Sequence, residues 1–237
     1  MRKFFYTSIF FNVIFIILLC MISFMYDLHK KLYCRIFGLN YEEKMERVHY
    51  NQLVNVFNKM PEREGVHKII FLGDSITEFM YFDEFLNIPD VQIMKQGIAG
   101  DTTAGILERL DPVINAHAEK IFILAGVNDI WTKLDLNQSK KNYRAIIKKL
   151  CENSPESKIY IQSILPVSES LKFTEGAIED FNKELKKIAA DFKCEYLDIY
   201  PLFTLCGKAN ENLLVDGIHM NGDGMEIWGN FLRKYVK

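Results

Sequence analysis

The chain has 237 residues, of which 49% are hydrophobic and 25% charged, and 29 basic against 31 acidic side chains leave a net charge of −2. That balance excludes an intrinsically disordered chain, and 13 Gly with 6 Pro exclude a collagen-like or low-complexity one. Near-neutral charge leaves no electrostatic footprint for nucleic acid. The five cysteines, Cys20, Cys34, Cys151, Cys194 and Cys206, are too sparse for a disulfide scaffold and include no C-x-x-C pair.

Phe4 to Tyr26 carries no acidic or basic side chain and is dominated by Phe, Ile, Leu and Met. At about 1.5 Å per residue such a helix reaches roughly 34 Å, enough to cross a hydrocarbon core of about 30 Å. The competing reading is a cleaved signal peptide, but the segment ends in bulky residues, Met21-Ile22-Ser23-Phe24-Met25-Tyr26, rather than an A-x-A-like site. We therefore expect residues 1–26 to form a single N-terminal membrane anchor. Arg2 and Lys3 on one flank barely differ from Lys30, Lys31 and Arg35 on the other. The preferred orientation keeps the short tail inside and exports the large C-terminal part. Residues 27–64 follow as a juxtamembrane stalk. Its helical stretch from about Tyr41 to Met60 presents Val48, Leu53, Val54, Phe57 and Met60 on one face and stops at Pro61.

From residue 65 to 237 strands and helices alternate. Lys68–Leu72, Val91–Met94, Lys120–Ala125, Lys158–Gln162 and Glu195–Ile199 are apolar runs that read as strands. Helical stretches lie between them at Thr103–Leu110, Asn137–Leu150 and around Ile178, Phe181, Leu185, Ile188 and Phe192, the last with Thr174 as a possible N-cap. Asn221 to Tyr235 is the final helix. Such alternation argues for a parallel sheet in a three-layer α/β/α sandwich, whose site lies beyond the carboxyl ends of the strands.

Polar residues gather at those ends. Gly73-Asp74-Ser75 follows the first strand, Gly97-Ile98-Ala99-Gly100-Asp101-Thr102-Thr103 the second, Gly126-Val127-Asn128-Asp129 the third, and Asp216-Gly217-Ile218-His219 precedes the last helix. A serine hydroxyl becomes a nucleophile only when a base takes its proton. His219 is the one histidine of five in a late loop beside a carboxylate, and Asp216 stands three residues before it. Asp216 would hold the ring Nδ1–H and leave Nε2 for Ser75. The backbone N–H groups of Ser75 and Gly100 and the Asn128 amide are the candidate donors to an oxyanion.

These four blocks, in this order, resemble the SGNH or GDSL hydrolase family, over about Lys68 to Tyr235. The resemblance implies a flavodoxin-like, five-stranded parallel sheet of order 2-1-3-4-5, ester hydrolysis, and no metal or organic cofactor. It implies Ser75 as nucleophile, Asp216 and His219 as its partners, and Ser75, Gly100 and Asn128 as the oxyanion hole. The second block is most similar to acetylhydrolases of the platelet-activating-factor type and their bacterial relatives. The expected substrate is a small acyl ester, such as acetyl, on a glycan or lipid. Lys95 stands where many members carry Asn.

Other readings stand beside this one. Each block alone also fits a turn or a helix cap. Asp216, His219 and Asp223 lack the second histidine and spacing of a metal site. Phe79, Met80, Tyr81 and Phe82 line an acyl pocket or, as a plainer alternative, form a packed helix face; Trp131 is unassigned. A transacylase would use the same residues, and a non-enzymatic module would bind an anion at the helix after Gly73. The Asp216/His219 pair favours an enzyme, since a binding module has no use for a proton shuttle.

Overall fold

The structure is a computed structural model that describes residues 41–237 apart from 62, 64 and 175, together with scattered positions between 15 and 29. The chain divides into two compact units, Met1–Asn51 and Gln52–Lys237. Among the described residues no helix is long and apolar enough to cross a membrane. The expected anchor, residues 4–26, lies for the most part outside them.

Helix α1 (Tyr41–Lys59) runs close to the extent its periodicity implies. The second unit is built on five parallel strands: β1 (His67–Gly73), β2 (Val91–Gly97), β3 (Lys120–Leu124), β4 (Lys158–Gln162) and β5 (Glu195–Leu197). Their spatial order is β2-β1-β3-β4-β5, as the resemblance implies. Two differences from the expected bounds have local causes. Strand β2 runs on to Gly97 because its last residues pair with Leu72 and Gly73. Strand β5 stops at Leu197, after which the Ile199 and Tyr200 N–H groups turn to donate to Ser163 Oγ at 2.9 and 2.8 Å.

Register decides what the two faces of the sheet carry. Phe71, Phe122 and Tyr160 are paired across β1, β3 and β4 and stack with centroids 4.9 and 4.4 Å apart. Phe82 of α3 (Phe82–Leu86) and Tyr235 of α9 (Gly222–Val236) extend that aromatic row at its two ends. The alternate residues Ile121, Ile123 and Ile161 face the other way and are fully buried. Helices α7 (Leu136–Asn153) and α8 (Ala177–Phe192) pack against each other, with Tyr143 meeting Phe181 edge-on. Thr174 does not cap α8; Gly176 takes that place with a positive φ of 69° and no side-chain bond. A short antiparallel ribbon, β6 (Thr204–Leu205) with β7 (Lys208–Ala209), is too brief to leave a periodic signal in sequence.

One buried ion pair ties the carboxyl ends of β1 and β2 together. Arg109, just after α4 (Thr103–Glu108), donates to Asp101 Oδ2 at 2.7 Å, to Gln96 O at 3.1 Å and to Gly73 O at 2.8 Å. The guanidinium is planar and multi-pronged, so a lysine could not reach all three acceptors. On the far side of β2, Gln92 receives the Arg63 N–H at 2.8 Å and donates to Pro61 O at 2.7 Å, which holds the segment after α1 along the sheet's edge. We expect Arg109→Ala to destabilise the domain by about 3–5 kcal/mol, because it strands a buried carboxylate and two strand-end carbonyls. Chemical denaturation with an unchanged m-value checks this.

Candidate active site

Ser75 opens α2 (Ser75–Glu78), a single turn whose N-cap is Asp74. Asp74 Oδ1 accepts the Ile76 N–H at 3.0 Å, which sets the turn and aims Ser75 out of the sheet's carboxyl edge. His219 sits 144 residues later in a tight loop, closed by the Val215 N–H donating to His219 O at 2.8 Å. Asp216 Oδ1 accepts the N–H groups of Ile218 and His219 at 3.0 and 2.9 Å. Its other oxygen is thereby turned to the ring.

The three side chains form one hydrogen-bonded line. Asp216 Oδ2 lies 2.6 Å from His219 Nδ1, and His219 Nε2 lies 2.8 Å from Ser75 Oγ. A carboxylate only accepts, so Nδ1 carries the proton and neutral Nε2 receives the serine O–H. Burial alone would push the Asp216 carboxyl up, but the backbone N–H of His219, its ring and the Ile218 N–H outweigh that and bring it down to about 2. Asp216 is therefore an anion across the physiological range, suited to steady an imidazolium.

The candidate donors come from the loops that follow β2 and β3, which leave the sheet at the same edge as the serine turn after β1. Gly97 ends β2, and a Cβ there would fall 2.3 Å from the Glu78 nitrogen, so only glycine lets the loop pass this close to α2. Gly100 has φ +76°, a left-handed turn that suits glycine. Among the described residues no acceptor takes the Gly100 N–H or the Ser75 N–H. Asn128, in α6 (Val127–Trp131), spends one amide hydrogen on Asp101 O at 2.9 Å and keeps the second. The residues singled out from sequence thus meet at one edge of the sheet.

Several supporting residues were not singled out. Asp129 is fully buried and accepts from Thr103 N at 3.0 Å and Thr103 Oγ1 at 2.6 Å, joining the Asn128 turn to the start of α4. Glu78 accepts the Ala99 N–H at 2.5 Å. The available signals were Asp129 directly after Asn128, and a Ser75-x-x-Glu78 spacing that reads as a capping box. Asp74 is the cap of that turn, and Glu78 reaches across to the loop after β2. Asp101 and Asp129 add negative charge around Asp74, and of the three it is Asp101 that bonds Arg109. Burial pushes Asp74 up to about 7, helped by Asp101 and Asp129 and opposed by the Ile76 N–H. Burial also lifts Asp101, to about 6, against the pull of Arg109.

A cavity of about 230 Å³ opens beside the imidazole, lined by Ile76, Phe79, Val215, Asp216, His219, Met220 and Met225. Phe79 is 47% exposed and its ring lies 5.3 Å from that of His219, so it lines the cavity, while Met80 and Phe82 are core. The plainer expectation of a packed face therefore fails at Phe79 and at Tyr81, which is exposed, and holds for Met80 and Phe82. A larger cavity of about 590 Å³ lies by Cys151, Lys158 and Cys194, at the start of β4 and away from the serine. Volume alone does not locate the chemistry. Trp131 is half exposed and pairs with Phe173 at 5.3 Å. Among the described residues no cluster of His, Cys, Asp and Glu could hold a metal ion.

Fold and site together define a flavodoxin-like α/β/α domain with a serine, an imidazole and a carboxylate in line beside a loop of amide donors. The GDSL-like lipase/acylhydrolase family model matches residues 71–227, and the chain belongs to that family. Residues 71–227 are accordingly a carboxylic ester hydrolase domain. Among solved structures, one from Streptococcus pneumonia, described as a candidate platelet activating factor, is similar with a TM-score of 0.77 and 25% identity over 85% of this chain and 99% of that one. A GDSL-like lipase from Bacteroides thetaiotaomicron shares the fold with a TM-score of 0.67 and 20% identity, covering 79% of this chain and 96% of that one. N-acylneuraminate cytidylyltransferases of Streptococcus agalactiae are 25% identical over 177 residues, which is 72% of this chain. The chain matches only 40% of the length of those curated relatives.

Because the folded Asp74 carboxyl titrates near 7, far above the roughly 3.9 of an unfolded aspartate, the folded state holds a proton that the unfolded chain has released. This contribution is fully present below about pH 4 and is lost as pH rises through 7. We expect the melting temperature to decline over that window. Asp74→Asn, which keeps the cap, should flatten the decline between about pH 4 and 7, as thermal scans across a pH series would report.

Proposed function

We propose that this chain is a membrane-tethered serine esterase that hydrolyses a short acyl ester carried by a sugar. The observation that carries the reading is the continuous line from Asp216 through His219 to Ser75. Ser75 Oγ attacks the ester carbonyl as His219 Nε2 takes its proton, and the charge on the carbonyl oxygen is met by the N–H groups of Ser75 and Gly100 and the free Asn128 amide hydrogen. His219 then protonates the departing alkoxide, leaving an acyl-serine. Water attacks that ester, gives its proton to His219, and the carboxylic acid leaves as Ser75 recovers its hydrogen. Asp216 stays ionised throughout and steadies the imidazolium.

Two features support a small acyl group on a sugar. The cavity beside His219, about 230 Å³, is smaller than the roughly 300–1,000 Å³ typical of clefts for drug-sized ligands. The Streptococcus agalactiae relatives are named for an acylated sugar, N-acylneuraminate. Tethering is supported by Phe15, Ile16, Leu18, Met21, Ile22 and Met25, which are helical and 51–62% exposed, within the charge-free run Phe4–Tyr26. In this reading the ester hydrolase domain faces the exported side.

The purified chain is expected to hydrolyse p-nitrophenyl acetate faster than longer-chain esters and to be labelled at Ser75 by a fluorophosphonate. Ser75→Ala should abolish both, with His219→Ala nearly as severe and Asn128→Ala costing about 10²–10³ in kcat. Turnover that survives Ser75→Ala sinks the mechanism. The full chain should also stay in the membrane pellet after an alkaline carbonate wash, and release into the supernatant would refute the anchor. A panel of O-acetylated sugars against acetylated lipids tests the substrate class.

A further inference from the structure

The oxyanion donors can act only if the loop after β2 stays in place, and one side chain from the serine's own helix holds it there. We propose that Glu78 is a positioning residue that clamps the Gly97–Asp101 loop to α2 and so fixes the Gly100 N–H relative to Ser75. The inference rests on the acyl-transfer reading above and goes beyond it, since Glu78 touches no reacting atom.

Four observations meet here. Glu78 is the last residue of the turn that Ser75 begins, so carboxylate and nucleophile are rigidly related. Its Oε2 accepts the Ala99 N–H at 2.5 Å, a charge-assisted bond in a half-buried setting. Ala99 is the residue before Gly100, and with its own N–H turned onto Glu78, the Gly100 N–H is left for the cleft. Gly97 meanwhile lets the backbone approach so closely that an added Cβ would lie 2.3 Å from Glu78 N, which brings Ala99 within reach of a carboxylate three residues from Ser75. The rest of the loop is held from its other end, by the Asp101 N–H on Ile98 O at 3.1 Å and by Arg109 on Asp101. Without Glu78 the Ala99–Gly100 peptide would lose its bond to α2 and be held only through its neighbours, Ile98, whose N–H donates to Gly73 O at 3.2 Å, and Asp101. A displaced donor weakens only the transition state, because the ground-state ester has little charge to lose.

The test uses the full chain with Glu78→Ala, Glu78→Gln and Glu78→Asp, each checked for folding by thermal melting. Glu78→Ala is expected to lower kcat by roughly 10–100-fold with KM nearly unchanged, part of the loss typical of removing one oxyanion donor. Inhibition by a boronic acid, which mimics the tetrahedral intermediate, should weaken by the same factor. Glu78→Gln keeps an acceptor oxygen at the same reach and should recover most of the rate, while Glu78→Asp falls short and should not. Amide hydrogen exchange at Ala99 reads the clamp without any substrate: it should quicken at least tenfold in Glu78→Ala and stay slow in Glu78→Gln. Fast exchange at Ala99 in the unmodified chain overturns the clamp whatever the enzyme does. So does an Ala variant with unchanged kcat, or a Gln variant as impaired as Ala. An unmodified chain that shows protected Ala99 but no ester turnover and no Ser75 labelling would instead defeat the esterase reading and leave the clamp standing.

Discussion

A single buried guanidinium holds the frame on which everything at the sheet's edge is mounted. Arg109 bonds the last carbonyl of β1, immediately before the Asp74–Ser75 turn, and the Gln96 carbonyl, immediately before the Gly97–Gly100 loop. Its third partner, Asp101, closes that loop from the other end. The roots of the nucleophile turn and of the donor loop are therefore fixed to one rigid, planar group. A lysine ammonium would supply the charge without the geometry. The same edge buries Asp74 near Asp101 and Asp129, and burial first, then those two carboxylates, push Asp74 up to about 7, so that it is partly protonated near neutrality.

The aspartates near Ser75 show how placement, rather than residue type, sets chemistry. Asp216 lies in an open loop and receives two backbone N–H bonds and an imidazole, so its carboxyl falls to about 2. Asp74, one residue from the nucleophile, is sealed from water with one oxygen unpartnered and rises to about 7. The exposed aspartate can serve as a permanent anion beside the ring, and the buried one serves as a helix cap. Neighbours of opposite character around one hydroxyl are a common arrangement where proton transfer is the task.

Much of this was legible in the chain itself, for identifiable reasons. Strands such as Ile69–Leu72 and Ile121–Leu124 are buried on both faces, so they stand out as continuous apolar runs ending at Gly73 or shortly before Gly126. Helix α9 begins where Asn221 caps it, accepting the Gly224 N–H at 3.0 Å. Ser75, Gly100, Asn128, Asp216 and His219 were legible because each sits beside a strand end or a turn, where polar residues interrupt apolar ones. Thr174 misled because a helix start can also be made by a left-handed glycine, here Gly176, with no capping side chain. Arg109 gave no signal, since a charged residue after a helix is ordinarily solvated and nothing local says that it is buried.

The sequence by itself determined the alternation of strands and helices, the parallel order of the sheet through its family resemblance, and the four blocks that carry the chemistry. The alternation and the blocks are properties of period, composition and spacing, which are local, whereas the sheet order came only with the resemblance. Only the tertiary structure decided that His219 reaches Ser75 across 144 residues at 2.8 Å. It also decided that Phe79 lines a cavity while Phe82 joins the core, and that Glu78 bonds the loop after β2. Those outcomes depend on which surfaces meet when the helices fold back on the sheet, and a pattern along one chain holds no record of distances between segments that come together only through packing.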